Sequence, residues 1–364
     1  MNPRLTSRDF GTLATGETVE AWTLSGPSGL TVEAMTYGGI VRSILAPGRS
    51  GELADVALGF NTLEEYVAGH PYFGSIVGRV AGRITDARFE YEDETFHLSS
   101  NETPNHLHGG FTGFDKKLWT ALPIERADGM PSIRLSTTSA DGEEGYPGNV
   151  QVSVTYSVLE DNTFLIESEA VSDRPTPLSL TNHSYFNLAG EGSGLALDHS
   201  VQIHADEFVP TGEHLALIDK LMSLSGSSED LRQPMTLGSA LATLTYPNGS
   251  LCKVRRSRHR SQRDAWNDEL VPVARLVHSG SGRALDVSTT EEFMQFYTGA
   301  WLDGMQRGKS NVAYMPYQGV CFECEGYANG ANAPQLGNIF LLPGETQRRK
   351  TSYRFSVVES PASA

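Results

Sequence analysis

The stretch "NVQVSVTYSVL", residues 149–159, does most to limit what this chain can become. It sets Val150, Val152, Val154, Tyr156 and Val158 on one side of an extended backbone, with small polar residues mostly between them. Period-two alternation of this kind marks a strand with one face buried. "EDNT" follows, and "FLIESEAV" alternates again, so 149–171 reads as a hairpin turning at Asp161 and Asn162. The 37 glycines and 18 prolines cut much of the remaining sequence into short segments. Helical pattern is scarce: "NTLEEYVAG", 61–69, has an Asn/Thr start and acidic residues in its first turn, which predicts one short helix. There is no internal repeat, no low-complexity stretch and no Gly/Ser/Pro linker. The expectation is an all-β fold, one large antiparallel sandwich with residues 1–364 as a single domain.

Charge narrows the function classes. A formal net charge of −16 argues against a nucleic-acid or anionic-membrane surface and suits a neutral small-molecule ligand. No apolar run approaches the length of a membrane span. The start, "MNPRLTSRDFGTLATG", lacks the apolar centre of a signal peptide, so a cytoplasmic location is expected. Three cysteines (Cys252, Cys321, Cys324) do not make a disulfide framework. One stretch is anomalous: "LCKVRRSRHRSQR", 251–263, carries six of the 28 basic residues without an acid. It has neither strand nor helix periodicity and reads as a solvated loop.

Polar groups concentrate at four places. "GRVAGRI", 78–84, holds Arg79 and Arg83; "NHLHGG", 105–110, holds His106 and His108. "TNHSYFNLAG", 181–190, sets His183 between the amides of Asn182 and Asn187, and "CFECEG", 321–326, holds Glu323 and Glu325. If "VCFECE" is a strand, Glu323 shares a face with Cys321 and Glu325, while Phe322 and Cys324 share the other. A carboxylate on a buried strand needs a reason, since burying it unpaired is costly. Each place also has an ordinary explanation. An isolated arginine is commonly a surface ion pair. Of His106 and His108, one is expected to face a given cavity. Cys321-x-x-Cys324 has no second Cys/His pair nearby, so no zinc site is expected. Taken together, a histidine and a carboxylate can act as matched acid and base, and an arginine and a second histidine can hold hydroxyls. Tyr185, Phe186 and Phe296 can line the apolar face of a sugar. The constellation suits proton transfer on a neutral polyol.

The blocks "FGTLATGETVEAWTL", "PYFGSIVGRVAGRI", "NHLHGGFTGFDKKLW", "DGEEGYPGNV", "TNHSYFNLAG", "TTEEFMQFYTG" and "LLPGET" occur in this order. In them the chain resembles the aldose 1-epimerase (galactose mutarotase) family over nearly its whole length. The resemblance implies a single large antiparallel β-supersandwich. It also implies interconversion of α and β anomers of free aldohexoses, glucose or galactose, without cofactor or metal. A free hexose is the expected partner, with no nucleic acid or membrane, and the expected state is monomer or homodimer. By resemblance, Glu323 matches the general base that takes the C1-hydroxyl proton. His183 matches the general acid that protonates the ring oxygen, with the flanking amides and aromatics fixing its orientation. His108 and Arg83 match substrate-binding positions, and Gln295 matches a residue near the site. An imidazole near neutrality and an ionised carboxylate do this chemistry without a metal.

The resemblance breaks in one region. The family's Gly-x-Asp-His-Asn motif, whose aspartate binds sugar hydroxyls, does not appear between "EDLRQPMTLG" (229–238) and "SGRALDVSTTEEF" (281–293). Arg258 to Trp266 can be encoded so that reading one base later gives Gly-Ile-Asp-His-Asn-Ala-Met-Pro, which points to a local frameshift. On this reading 240–268 is an anomalous segment, expected to form a poorly packed surface excursion. Smaller departures are Gly82 where the family usually has Asn, Ala300 for Asn, Glu325 for a common Gln, and "YANGAN" for a Tyr-Pro-Asp form. Three alternatives follow. The loss of the aspartate motif suggests a sugar-binding protein with impaired or no catalysis. His106, His108, His183 and Glu323 suggest a metal-dependent enzyme. An epimerase of sugar phosphates would need further basic residues at the pocket.

Overall fold

The computed structural model describes residues 2–254 and 269–359. Strands Val150–Val158 and Thr163–Ser172 pair antiparallel, with Val152 opposite Ala170 and Tyr156 opposite Ile166. The hairpin turns where expected. Asn162 takes the left-handed conformation at φ +60°, which asparagine tolerates better than most residues, and Leu159 N–H donates to Thr163 O at 2.8 Å. All five inward-facing residues of the first strand are buried.

The hairpin lies inside a nine-stranded antiparallel sheet. Thr120–Pro123 and Ser132–Ser139 extend it on one side. On the other side come Gln347–Val357, Arg283–Thr289, Val271–Val277, Ser200–Ile203 and Met235–Thr236. The long C-terminal strand Gln347–Val357 thus sits mid-sheet, between Thr163–Ser172 and Arg283–Thr289. Two five-stranded sheets accompany this one. The first is a meander from Arg4–Thr12 to Leu53–Asp55, each strand beside the next. The second runs Met222–Ser223, Ala205–Val209, Gly249–Val254, Phe293–Tyr297, Cys321–Glu325. One buried apolar cluster draws on all three sheets: Val154, Phe164 and Tyr353 from the large one, Val32 and Ile44 from the first, and Met294, Phe296 and Phe322 from the second. The expected all-β antiparallel sandwich is therefore what forms.

The short helix also appears, at Leu63–Val67. Thr62 caps it and Glu65 reaches back to complete a capping box, satisfying amides the first turn leaves free. Among the described residues no helix is long and apolar enough to cross a membrane.

One expectation fails in part. Residues 249–254, inside the anomalous segment, are not a surface excursion. They form a strand between Ala205–Val209 and Phe293–Tyr297, with Leu251 opposite Gln295 and Cys252 opposite Met294. Leu251, Cys252 and Val254 are buried. "GSLCKV" is apolar enough to be covered; the basic residues that suggested a solvated loop begin mainly after it. The stretch from Arg258 to Trp266, on which the frameshift reading rests, lies outside the described residues.

Candidate active site

The edge strand Cys321–Glu325 carries the key carboxyls. Its parity is the expected one: Phe322 and Cys324 enter the apolar core, and Glu323 and Glu325 line a cleft of about 490 Å³. The two cysteines therefore face opposite ways, against a shared zinc site. Gln295 lies directly opposite Glu323 in the ladder and also lines the cleft. Its amide donates to Phe296 O at 2.7 Å, which leaves its side-chain oxygen as an acceptor.

His183 follows the two-residue strand Thr181–Asn182, which pairs with Ile76–Val77. Its backbone is pinned: its N–H donates to Ser75 O at 2.9 Å and its carbonyl accepts from Gly74 N at 3.0 Å. The ring lies between Tyr72 and Tyr185, near-parallel to both, at centroid distances of 5.8 and 5.1 Å. Nδ1 lies 3.6 Å from Cys321 Sγ. Nε2 lies 3.4 Å from Glu323 Oε2. The flanking amides, expected to fix the orientation of His183, make no hydrogen bond to its ring and act through the backbone instead. Asn182 donates to Gly74 O, and Asn187 ties Gly194 O to Gln318 O, so they set the backbone that carries it.

His108 comes from the other side. The strand His106–Leu107 ends there, and His108 turns away at φ +52°. Unbroken strand geometry would have put His106 and His108 on one face. Instead His106 is buried between Ser99 O, at 2.7 Å, and Tyr146 Oη, at 2.8 Å, while His108 enters the cleft. Gly82 N–H donates to His108 Nδ1 at 3.1 Å, so in the neutral ring the proton resides on Nε2, which becomes a donor.

The two arginines of "GRVAGRI" part company. Arg79 is buried and is not a ligand-binding residue. It donates to Ser139 Oγ, Thr176 Oγ1 and the carbonyls of Ser139, Ala140, Pro147 and Gly148. Arg83 lines the cleft, held in a two-pronged pair with Glu102 at 2.5 and 2.8 Å. Of the three aromatics expected to face a sugar, only Tyr185 does; Phe186 and Phe296 pack in the core. Tyr72, Tyr246, Tyr297 and Trp301 line the cleft in their place. Tyr72 and Tyr297 lie inside the quoted blocks, but no pattern in those blocks says which aromatic is turned toward the cleft.

Burial reverses the charge states expected from sequence. It pushes Glu323 up to about 8, with Arg83 pulling the other way, and His183 down to about 4. His108 is held well below the usual imidazole value, first by burial and then by His183 and Arg83. Near neutral pH the Glu323–His183 pair therefore favours one proton, carried mainly by the carboxyl. The two groups lie 3.4 Å apart, so the carboxylate–imidazolium form needs only a proton transfer between them.

Donor atoms of His108, His183 and Glu323 lie within 4.8 Å of one another, a grouping that could hold a metal. The fourth residue of the metal reading, His106, is not in it.

A buried histidine–carboxyl pair in a cleft that Arg83, His108 and Gln295 also line agrees with what sequence comparison finds. The family model described as aldose 1-epimerase matches residues 20–354. The chain belongs to the aldose 1-epimerase family. It is 40% identical to galactose mutarotase of Sus scrofa, over 96% of this chain and 97% of that protein. It is 32% identical to aldose 1-epimerase of Escherichia coli K12, over 93% and 96%. The fold agrees as well. A crystal structure of an aldose epimerase homologue from C. elegans superposes with a TM-score of 0.82 at 26% identity, covering 92% of this chain and 98% of that one. Gly82 and Glu325, read from the sequence as departures, both line the cleft wall. Residues 245–249 and Leu251 contribute to the wall, and none of them is a carboxylate.

Proposed function

We propose that Glu323 and His183 carry the interconversion of aldose anomers in this protein, acting on free hexoses such as glucose and galactose. The observation that carries the reading is the 3.4 Å approach of His183 Nε2 to Glu323 Oε2 inside the cleft. Two groups that share one proton can take a proton at one end of a hemiacetal and give one at the other. Glu323, as carboxylate, takes the proton of the C1 hydroxyl. The C1–O5 bond breaks as O5 takes the proton of the His183 imidazolium. The free aldehyde rotates about C1–C2. O5 then attacks the other face of C1, returning its proton to His183, and Glu323 returns its proton to O1. Atoms and charge balance without a further reactant.

Arg83 and the Nε2–H of His108 serve as donors to sugar hydroxyls, and Gln295 as an acceptor. Arg83 keeps its charge throughout, so it positions and does not shuttle protons. The apolar core shared by the three sheets supports one domain over the chain. No observation favours sugar binding without turnover. Polarimetry of fresh α-galactose and α-glucose tests the whole reading. Acceleration is expected in the native protein, unchanged after dialysis against a chelator. Glu323→Gln and His183→Asn should each lose roughly 10²–10⁴-fold. A near-native rate in Glu323→Gln removes it as the base. Loss of rate on chelation, restored by a divalent ion, favours the three-residue metal grouping.

A further inference from the structure

A second carboxyl lies in the cleft wall with an oxygen that no described residue satisfies. Glu325 is two residues beyond Glu323 on the same strand, so both side chains leave it on the same face. Glu325 is 1% exposed, and its Oε2 has no hydrogen-bond partner among the described residues. Leaving a buried polar atom unpaired costs free energy, and native proteins seldom do so without reason. The other carboxyls lining the cleft are occupied: Glu102 holds Arg83, and Glu323 faces His183. Gly82, at φ +74°, packs close beside Glu325: a methyl group built there would come within 2.5 Å of Ala328 Cβ and 3.3 Å of Glu325 Oε1, so the wall has no room for a side chain at that position. Gly82 and Glu325 both line the cleft. Although 243 positions apart (325 − 82), they meet at one place in the wall.

We propose that Glu325 contacts the substrate directly and sets its specificity, its carboxyl taking a hydroxyl of the hexose beside Gly82. The proposal rests on the reading of this cleft as the hexose site. A protonated carboxyl offers both a donor and an acceptor, which matches a hydroxyl. Burial, reinforced by the charges of Glu323 and Glu291, pushes Glu325 well above the usual carboxylate range and so keeps that proton in place. Among the described residues that line the cleft, Glu325 is the carboxyl left free to meet a hydroxyl.

The test compares galactose with its 2-, 3-, 4- and 6-deoxy analogues, by polarimetry or by proton exchange spectroscopy of the anomers. Native protein, Glu325→Met and Glu325→Gln are each measured. In the native protein, one deoxy sugar should lose about tenfold or more in kcat/KM against galactose. In Glu325→Met that one ratio should approach unity while the ratios for the other positions stay as they were. Glu325→Gln, which keeps a donor and an acceptor, should retain most of the penalty. A purely structural role would slow all the sugars together and move no single ratio. Unchanged ratios in both variants overturn the proposal. So does an unfolded Glu325→Met beside a folded Glu325→Gln with native ratios, since the carboxyl would then have a protein partner. If the native protein does not accelerate galactose at all, the hexose reading of the cleft fails. If it does, and no ratio moves, only this inference fails.

Discussion

The pH dependence of kcat/KM separates a buried proton-sharing pair from two ordinary side chains. The proposed mechanism needs one proton on the Glu323–His183 pair: both groups protonated leaves no base, and both deprotonated leaves no acid. With ordinary values near 4.5 for the carboxyl and 6.5 for the imidazole, the active window is about two units wide. Burial moves the limits to about 4, from His183, and about 8, from Glu323. On these values the one-proton state carries its proton on Glu323, beside a neutral His183, and the two limits bound that state. At pH 8 the ordinary pair would retain only about 3% of its plateau rate, from the imidazolium fraction 1/(1 + 10^1.5). The buried pair should retain roughly half. Above that limit the rate should fall tenfold per pH unit. The assay is polarimetry of α-galactose well below KM, with buffer-catalysed mutarotation subtracted at each pH, because that background rises in both acid and base. A rate at pH 8 below about a tenth of the plateau would show that the pair titrates as exposed groups do and would refute the argument.

Two further outcomes follow from the same geometry. Arg83→Ala should raise KM or Kd for galactose by roughly tenfold or more, as losing a charge-assisted hydrogen bond implies, while kcat falls less; unchanged binding by calorimetry removes Arg83 from the site. Arg79→Ala should instead destabilise the fold by more than about 3 kcal/mol, because it strands several buried carbonyls at once, and chemical denaturation should show it; a change within about 0.5 kcal/mol would contradict the buried network.

Arg79 and Arg83 show where sequence legibility stops. Both follow a glycine in "GRVAGRI", and nothing local tells a buried clamp on six oxygens from a cleft residue held by Glu102. The difference lies in partners 19 to 97 positions away in the chain. The hairpin at 150–172 was legible for the opposite reason, since its alternation, its turn and its pairing are all local. The central place of Gln347–Val357 was not, because no local pattern ties Glu167 to Lys350 across the sheet.

Other misses were within reach of parity alone. Gln295 was placed at the site, and Phe296 is its neighbour on the same strand, so the two cannot both face the cleft. The ladder bears this out: Gln295 is opposite Glu323 on the cleft side, and Phe296 is opposite Phe322 on the core side. The same rule applied to Cys321–Glu325 put Glu323 and Glu325 together correctly. What parity could not supply is the state of those carboxyls. An ionised base was the natural expectation for Glu323, and the protein instead buries it against a buried imidazole, so that burial favours a protonated carboxyl beside a neutral ring. That state depends on how little water reaches the strand, and therefore on three sheets closing around it, which no short stretch of sequence records.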